Sequence, residues 1–187
     1  KKNDLNVNMR PSDGISINTF YFVSTPLHLF QAVSIANDQN LKEKGILIFI
    51  DQPEDQDNLY LPILQRWSGN PFEKIWLFRS KSKGSKNKYK YRKNVLNQID
   101  NLTKNYRPRK IYTGNDRRIE FIRSYKTAIK FNRNIKCIYL DDGIMSYVVH
   151  KYGWESPIEI IFKKIYYGFN YSRKNIVGSS NFLTSGI

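Results

Sequence analysis

From residue 17 onward, short runs of strand-forming residues alternate with stretches whose apolar positions recur at helical spacing. Residues 17–24 include Thr19, Phe20, Tyr21, Phe22 and Val23, all of which favour a pleated backbone, and predict a first strand. Ser24-Thr25-Pro26 marks a helix start, because a hydroxyl can take up free amide hydrogens and proline fits the first turn. That helix is predicted to reach about Ala36, with Leu27, Phe30, Ala32 or Val33, and Ala36 on one face. Residues 45–50 are continuously apolar, the look of a strand buried on both faces of a parallel sheet, and Asp51 closes the run. A helix over 58–67, a strand over 73–78 and a helix that ends near Tyr106 before Pro108 come next. A strand over 109–113, a helix over 116–131 and a strand over 135–140 complete the pattern.

Five strands separated by four helices, each connection long enough for a right-handed crossover, predict an α/β doubly wound parallel sheet. Functional loops in such a sheet gather at the carboxyl ends of the strands. Here that edge would present Ser24-Thr25, Asp51, Arg79, Gly114-Asn115 and Asp141-Asp142. Past Gly143 the pattern changes. Residues 157–170 combine a heavy apolar load with Lys163 and Lys164, so they would form either one more helix covering the sheet, the preferred reading, or a basic amphipathic segment on an anionic membrane face or a partner domain. Residues 178–187 have the composition of a linker, and 151–187 together are expected to lead toward a further domain.

Composition narrows the picture. The chain of 187 residues, 40% apolar and 14% aromatic, suits one ordinary domain spanning about 17–150, preceded by a mobile arm or expression remnant over 1–16. A single cysteine, Cys137, excludes an internal disulfide and lies in an apolar run, which points to a buried thiol and an intracellular, cytoplasmic protein. Two histidines and one cysteine cannot build a structural zinc site, and neither a phosphate-cradling loop nor a GxGxxG fingerprint is present, so no metal and no cofactor is expected. No apolar stretch reaches the ~18 residues that span a bilayer, and Lys1-Lys2-Asn3-Asp4 has no apolar core of a secretory signal. A formal net charge of +15 predicts an anionic partner.

The candidate chemistry centres on Asp141-Asp142-Gly143, where the apolar strand over 135–140 stops in two carboxylates and a permissive backbone position. A carboxylate held beside a sugar hydroxyl, with water partly excluded, can take its proton. Neighbouring residues at a strand end point to opposite faces, so one of the two would enter a cleft while the other braces the loop, and Gly143 would let a substrate approach the backbone. Asp-Gly alone is also a common turn pair. Asp55-Gln56-Asp57 matches the acidic triplet of metal-dependent GT-A transferases, but acids ahead of a helix ordinarily cap it, and the cap is preferred. Ser24 and Thr25 are expected to cap the first helix, and their hydroxyls can also touch a sugar or phosphate at its N-terminus; His28 either lines the cleft or is structural. Arg79, Lys81, Lys83, Lys86, Lys88, Lys90, Arg92 and Lys93, interleaved with Tyr89 and Tyr91, form a basic run open to three readings: a solvated loop and helix start, a nucleic-acid surface, or attraction to an anionic glycan or membrane.

The segments Tyr21-Phe22-Val23-Ser24-Thr25-Pro26-Leu27-His28 and Tyr139-Leu140-Asp141-Asp142-Gly143-Ile144-Met145-Ser146-Tyr147 resemble those of bacterial sialyltransferases of glycosyltransferase family 52, whose relatives include bacterial polysialyltransferases. The resemblance covers roughly residues 17–150. It implies the Rossmann-like N-terminal half of a GT-B enzyme and a metal-independent, inverting transfer from CMP-sialic acid to a bacterial surface glycan such as lipooligosaccharide or capsule. Asp142 would be the general base and Asp141 its support, with Ser24, Thr25, His28, Asn115 and Gly143 binding substrate. The partners so implied are the nucleotide-sugar donor, the glycan acceptor, the anionic inner membrane and a second copy in a homodimer, with nucleic acid left to the rival reading. One departure stands out. The family's second-domain His-Pro motif is missing, since His28 precedes Leu29 and His150 precedes Lys151, so this chain is expected to be the acceptor side alone and inactive by itself. The rival classes are a basic polyanion-binding module without catalysis and a GT-B transferase using another nucleotide sugar.

Overall fold

In the computed structural model, residues 16–38, 43–52, 58–79, 85–141, 156–167, 178, 181 and 183–186 are described. The elements run β1 (Ser16–Val23), α1 (Pro26–Asp38), β2 (Glu43–Gln52), α2 (Tyr60–Arg66), β3 (Phe72–Arg79), α3 (Ser85–Tyr106), β4 (Lys110–Thr113), α4 (Ile119–Ala128), β5 (Lys136–Tyr139), α5 (Pro157–Tyr167) and β6 (Ser185–Gly186). All strands pair in parallel in the order β3-β2-β1-β4-β5-β6. The chain is therefore α/β with a Rossmann-like, doubly wound sheet, and the five main strands are those that the apolar pattern predicts.

Side-chain alternation along the strands builds two apolar layers. Phe20, Phe22, Ile46, Ile48, Ile111 and Cys137 pack on one face against Val95, Ile99 and Leu102 of α3 and Phe121 of α4. Tyr21, Val23, Leu47, Phe49, Tyr112 and Ile138 pack on the other against Leu29 and Ala32 of α1 and Leu61 and Leu64 of α2. Each large side chain so buried contributes about 1.5–3 kcal/mol. The Tyr21 and Tyr112 rings stack at 4.9 Å, and burial raises the Tyr21 hydroxyl well above its ordinary range. Between α3 and α4, Asp100 accepts from Arg123 Nε at 2.8 Å and from Thr127 Oγ1 at 2.5 Å, while Thr103 Oγ1 lies 2.9 Å from Ser124 Oγ. These bonds satisfy polar groups that would otherwise be costly beneath a helix pair.

Cys137 is fully buried, as its apolar surroundings predict, and burial pushes its thiol up to about 12. The folded value lies above the unfolded one, so the stability that depends on keeping this thiol neutral is complete below the ordinary thiol range and fades as pH rises through it toward about 12. The native protein is accordingly expected to resist a thiol-exchange reagent at pH 8 and to react fully once denatured; rapid labelling of the native state would contradict the burial.

Several expectations need correction. On α1, Leu27 and Phe30 are exposed, and His28, Leu29 and Ala32 are buried instead. The helix is apolar nearly all round, so its spacing did not single out a face; the cap at its start and the packing on Tyr21 and Val23 do. The helix α3 starts at Ser85, inside the basic run, in keeping with the reading of that run as a loop and helix start. The preferred covering role for residues 157–170 is not met by α5, whose Ile158, Ile161, Phe162 and Ile165 are each more than half exposed. At the end of the linker-like stretch, Ser185–Gly186 joins the sheet beside β5, and Thr184 N–H donates to the Cys137 carbonyl at 2.7 Å. Two small residues carry no apolar signature, so this sixth strand has no trace in the hydrophobic pattern.

Candidate functional site at the carboxyl edge of the sheet

In this strand order the chain turns to one side after β1 and to the other after β4, so the switch point lies between their carboxyl ends. Ser24 and Thr25 follow β1 there, Gly114 and Asn115 follow β4, and Asp141 follows β5 after Leu140. The edge is held in register by Gly114 N–H donating to Phe22 O at 3.3 Å and Leu140 N–H donating to Thr113 O at 2.8 Å.

The start of α1 fills the switch point. Thr25 caps it as predicted, its Oγ1 accepting the His28 amide hydrogen at 3.3 Å and its carbonyl accepting that of Leu29 at 3.2 Å. Ser24 makes a different contact, its Oγ lying 3.3 Å from His28 Nδ1. His28 is only 1% exposed, and its imidazole rests so closely on Gly114 that a Cβ there would collide with the ring. Of its two expected roles, the geometry gives His28 the structural one, a wedge between α1 and the end of β4.

Two glutamines extend the brace. Gln31 Nε2 donates to the Asp141 carbonyl at 3.1 Å, tying α1 to the end of β5. Gln52 Nε2 donates to Ile50 O at 3.1 Å and Ser24 O at 3.4 Å, and its Oε1 accepts from Asn58 Nδ2 at 2.8 Å. These contacts were missed, because pairing of residues 31 and 141 is a property of the folded sheet. Asn115 shapes its own turn, its Oδ1 accepting the Arg117 amide hydrogen at 3.1 Å. Asp116, expected as the first residue of the helix over 116–131, lies in the turn ahead of α4; its carboxylate is fully buried, and Oδ1 accepts the Gly178 amide hydrogen at 2.9 Å. Its only sequence signal was an acid just after Gly114-Asn115.

The structure thus brings Ser24, Thr25, His28, Asn115 and the half-buried Asp141 to one edge. Asp142 and Gly143 lie outside the described residues, as do Asp55, Gln56 and Asp57 and the side chain of Asp51. Asn58 Oδ1, one residue beyond the acidic triplet, accepts the amide hydrogens of Tyr60 and Leu61 at 2.9 Å each. From the basic run, Arg92 pairs with Glu120 at 4.0 Å, the Tyr91 hydroxyl accepts the Arg79 amide hydrogen at 3.1 Å, and Lys90 and Lys93 are exposed. A helix N-terminus beside a carboxylate, on a rigid sheet edge, is able to hold an anionic group and a hydroxyl in one place.

These features define a Rossmann-like domain with a polar, carboxylate-bearing carboxyl edge. The family described as Alpha-2,8-polysialyltransferase (POLYST) matches residues 19–186, from β1 through β6, and the chain belongs to that family. It is therefore a sialyltransferase-like glycosyltransferase. No curated protein matches it.

Proposed function

We propose that this chain is the acceptor-side half of a two-domain GT-B transferase that moves sialic acid from CMP-sialic acid to a bacterial surface glycan, lipooligosaccharide or capsule, without a metal and with inversion. The acceptor oxygen attacks the anomeric carbon, the bond to the CMP phosphate breaks, and Asp142 takes the acceptor proton. Asp141 supports it. An ordinary aspartate, with a pKa of about 3.9, is a weak base at neutral pH, and a neighbouring carboxylate raises it. Thr25 and Ser24 set the helix N-terminus toward which a negatively charged sugar is drawn, and Asn115 and Gly143 border the acceptor. The donor-side histidine is proposed to come from a further domain, because no His-Pro pair occurs in these 187 residues.

The observation that carries this proposal is the family match over residues 19–186, a range that includes the acid pair two and three residues past the end of β5. Among the described residues no helix is long and apolar enough to cross a membrane. We place the reaction at the cytoplasmic face of the inner membrane, where the positive net charge favours anionic lipid.

A donor screen of the full-length protein tests the assignment. With acceptor present, CMP-sialic acid is expected to be consumed and CMP released, while UDP- and GDP-sugars stay intact. Preferential use of another nucleotide sugar would overturn the donor, and polynucleotide binding without consumption of any donor would favour the polyanion-binding alternative.

A further inference from the structure

A cavity of about 700 Å³ opens at the opposite, amino edge of the sheet, lined in part by Arg107, Arg109, Lys110 and Lys136. Its floor is knitted by backbone bonds across three strands: Arg109 N–H donates to Asn18 O at 2.7 Å, and Lys136 N–H donates to Arg109 O at 2.9 Å. No carboxylate is among its lining residues, and none of the four cations meets one among the described residues. The C-termini of α3 and α4 also point to this edge, and each offers about half a negative charge. Together they offset roughly one of the four positive charges, so about three remain uncompensated among the described residues.

Arg107 adds an independent sign. Its φ of 46° puts an arginine in the left-handed conformation just after α3, a position where glycine or asparagine costs less. The guanidinium lies 4.9 Å over the half-exposed ring of Phe131. Asn132 and Asn134 line the same cavity and supply amides suited to hydroxyl groups. Guanidinium and ammonium groups for carboxylates, amides for hydroxyls and an exposed ring for an apolar sugar face make one coherent set.

We propose that this cavity holds a short acidic oligosaccharide, with carboxylates on successive sugar units, at a non-reacting site. Lys136 and Asp141 stand at opposite ends of β5, about five residues or roughly 16 Å apart, so a sugar in the cavity is held and not processed. The choice of acidic sugar as ligand rests on the sialyltransferase proposal; the anionic site itself does not.

The test titrates the full-length protein calorimetrically with the α2,8-linked tetramer of sialic acid, with maltotetraose and a four-nucleotide thymidine oligomer alongside. The sialic acid tetramer is expected to bind and to weaken with added salt, and maltotetraose to stay unbound. Arg109→Gln with Lys136→Gln, which keeps side-chain length and the backbone bonds, is expected to weaken the tetramer about tenfold or more. Transfer from CMP-sialic acid to a monomeric acceptor should be unchanged in this variant. Absence of tetramer binding, equal affinity in the double variant, or equally tight binding of the thymidine oligomer would overturn the proposal. If the donor screen fails while tetramer binding still depends on Arg109 and Lys136, the transferase proposal falls and this site stands.

Discussion

Gly114→Ala is expected to destabilise the protein by about 2 kcal/mol, roughly 4–8 °C in melting temperature, and to unseat His28. The backbone at 114 cannot retreat freely, because Gly114 N–H is bonded to Phe22 O and the residue is buried. The added methyl must therefore displace the imidazole, which the geometry places where that Cβ would sit. The ring is itself confined, being 1% exposed, next to Ser24 Oγ and on a helix capped by Thr25. Moving it shifts the start of α1 and with it the Gln31 bond to the Asp141 carbonyl. Adding His28→Ala to Gly114→Ala should recover part of the loss, since the two changes share one contact and so are not additive. Thermal melting together with imidazole resonances reads both effects. A change below about 0.5 kcal/mol with undisturbed imidazole signals would mean that His28 is not the wedge described.

The parts of this architecture that depend on local chemistry were legible in the chain. Continuous apolar runs marked β2 and β5, and Ser24-Thr25-Pro26 announced the start of α1, because strand burial and helix capping leave direct traces in neighbouring residues. What depends on long-range pairing did not show. His28 reads as an ordinary helix residue until Gly114 is placed beneath it, and Gln31 has no visible reason to be polar until β5 ends beside it. Asp116 belongs to the same class, since its partner is the Gly178 amide. The short β6 failed to register for another reason: two small residues gain their place from backbone bonds to β5, not from side-chain burial. Helix α5 carries a clear amphipathic pattern, yet Ile158 and Ile165 remain exposed, because periodicity states that a face is apolar and not what covers it.

The second large effect falls on the acid pair itself. Removing a general base typically lowers a rate by about 10²–10⁴-fold, and Asp142 is the residue assigned that task. Asp141 is tied into the edge through its carbonyl, by Gln31, so replacing its carboxylate leaves that brace intact. Asp141→Asn is therefore expected to be the milder change, acting through the loss of a neighbouring charge. Melting temperatures of both variants are measured alongside, so that a loss of rate is read only where stability is unchanged. The deciding measurement is the initial rate of sialic acid transfer from CMP-sialic acid by the full-length Asp142→Asn protein against its parent. A rate lower by about a hundredfold or more in a variant of unchanged stability is the expected result. Wild-type transfer by Asp142→Asn would contradict the assignment, and abolition by Asp141→Asn alone would exchange the two roles.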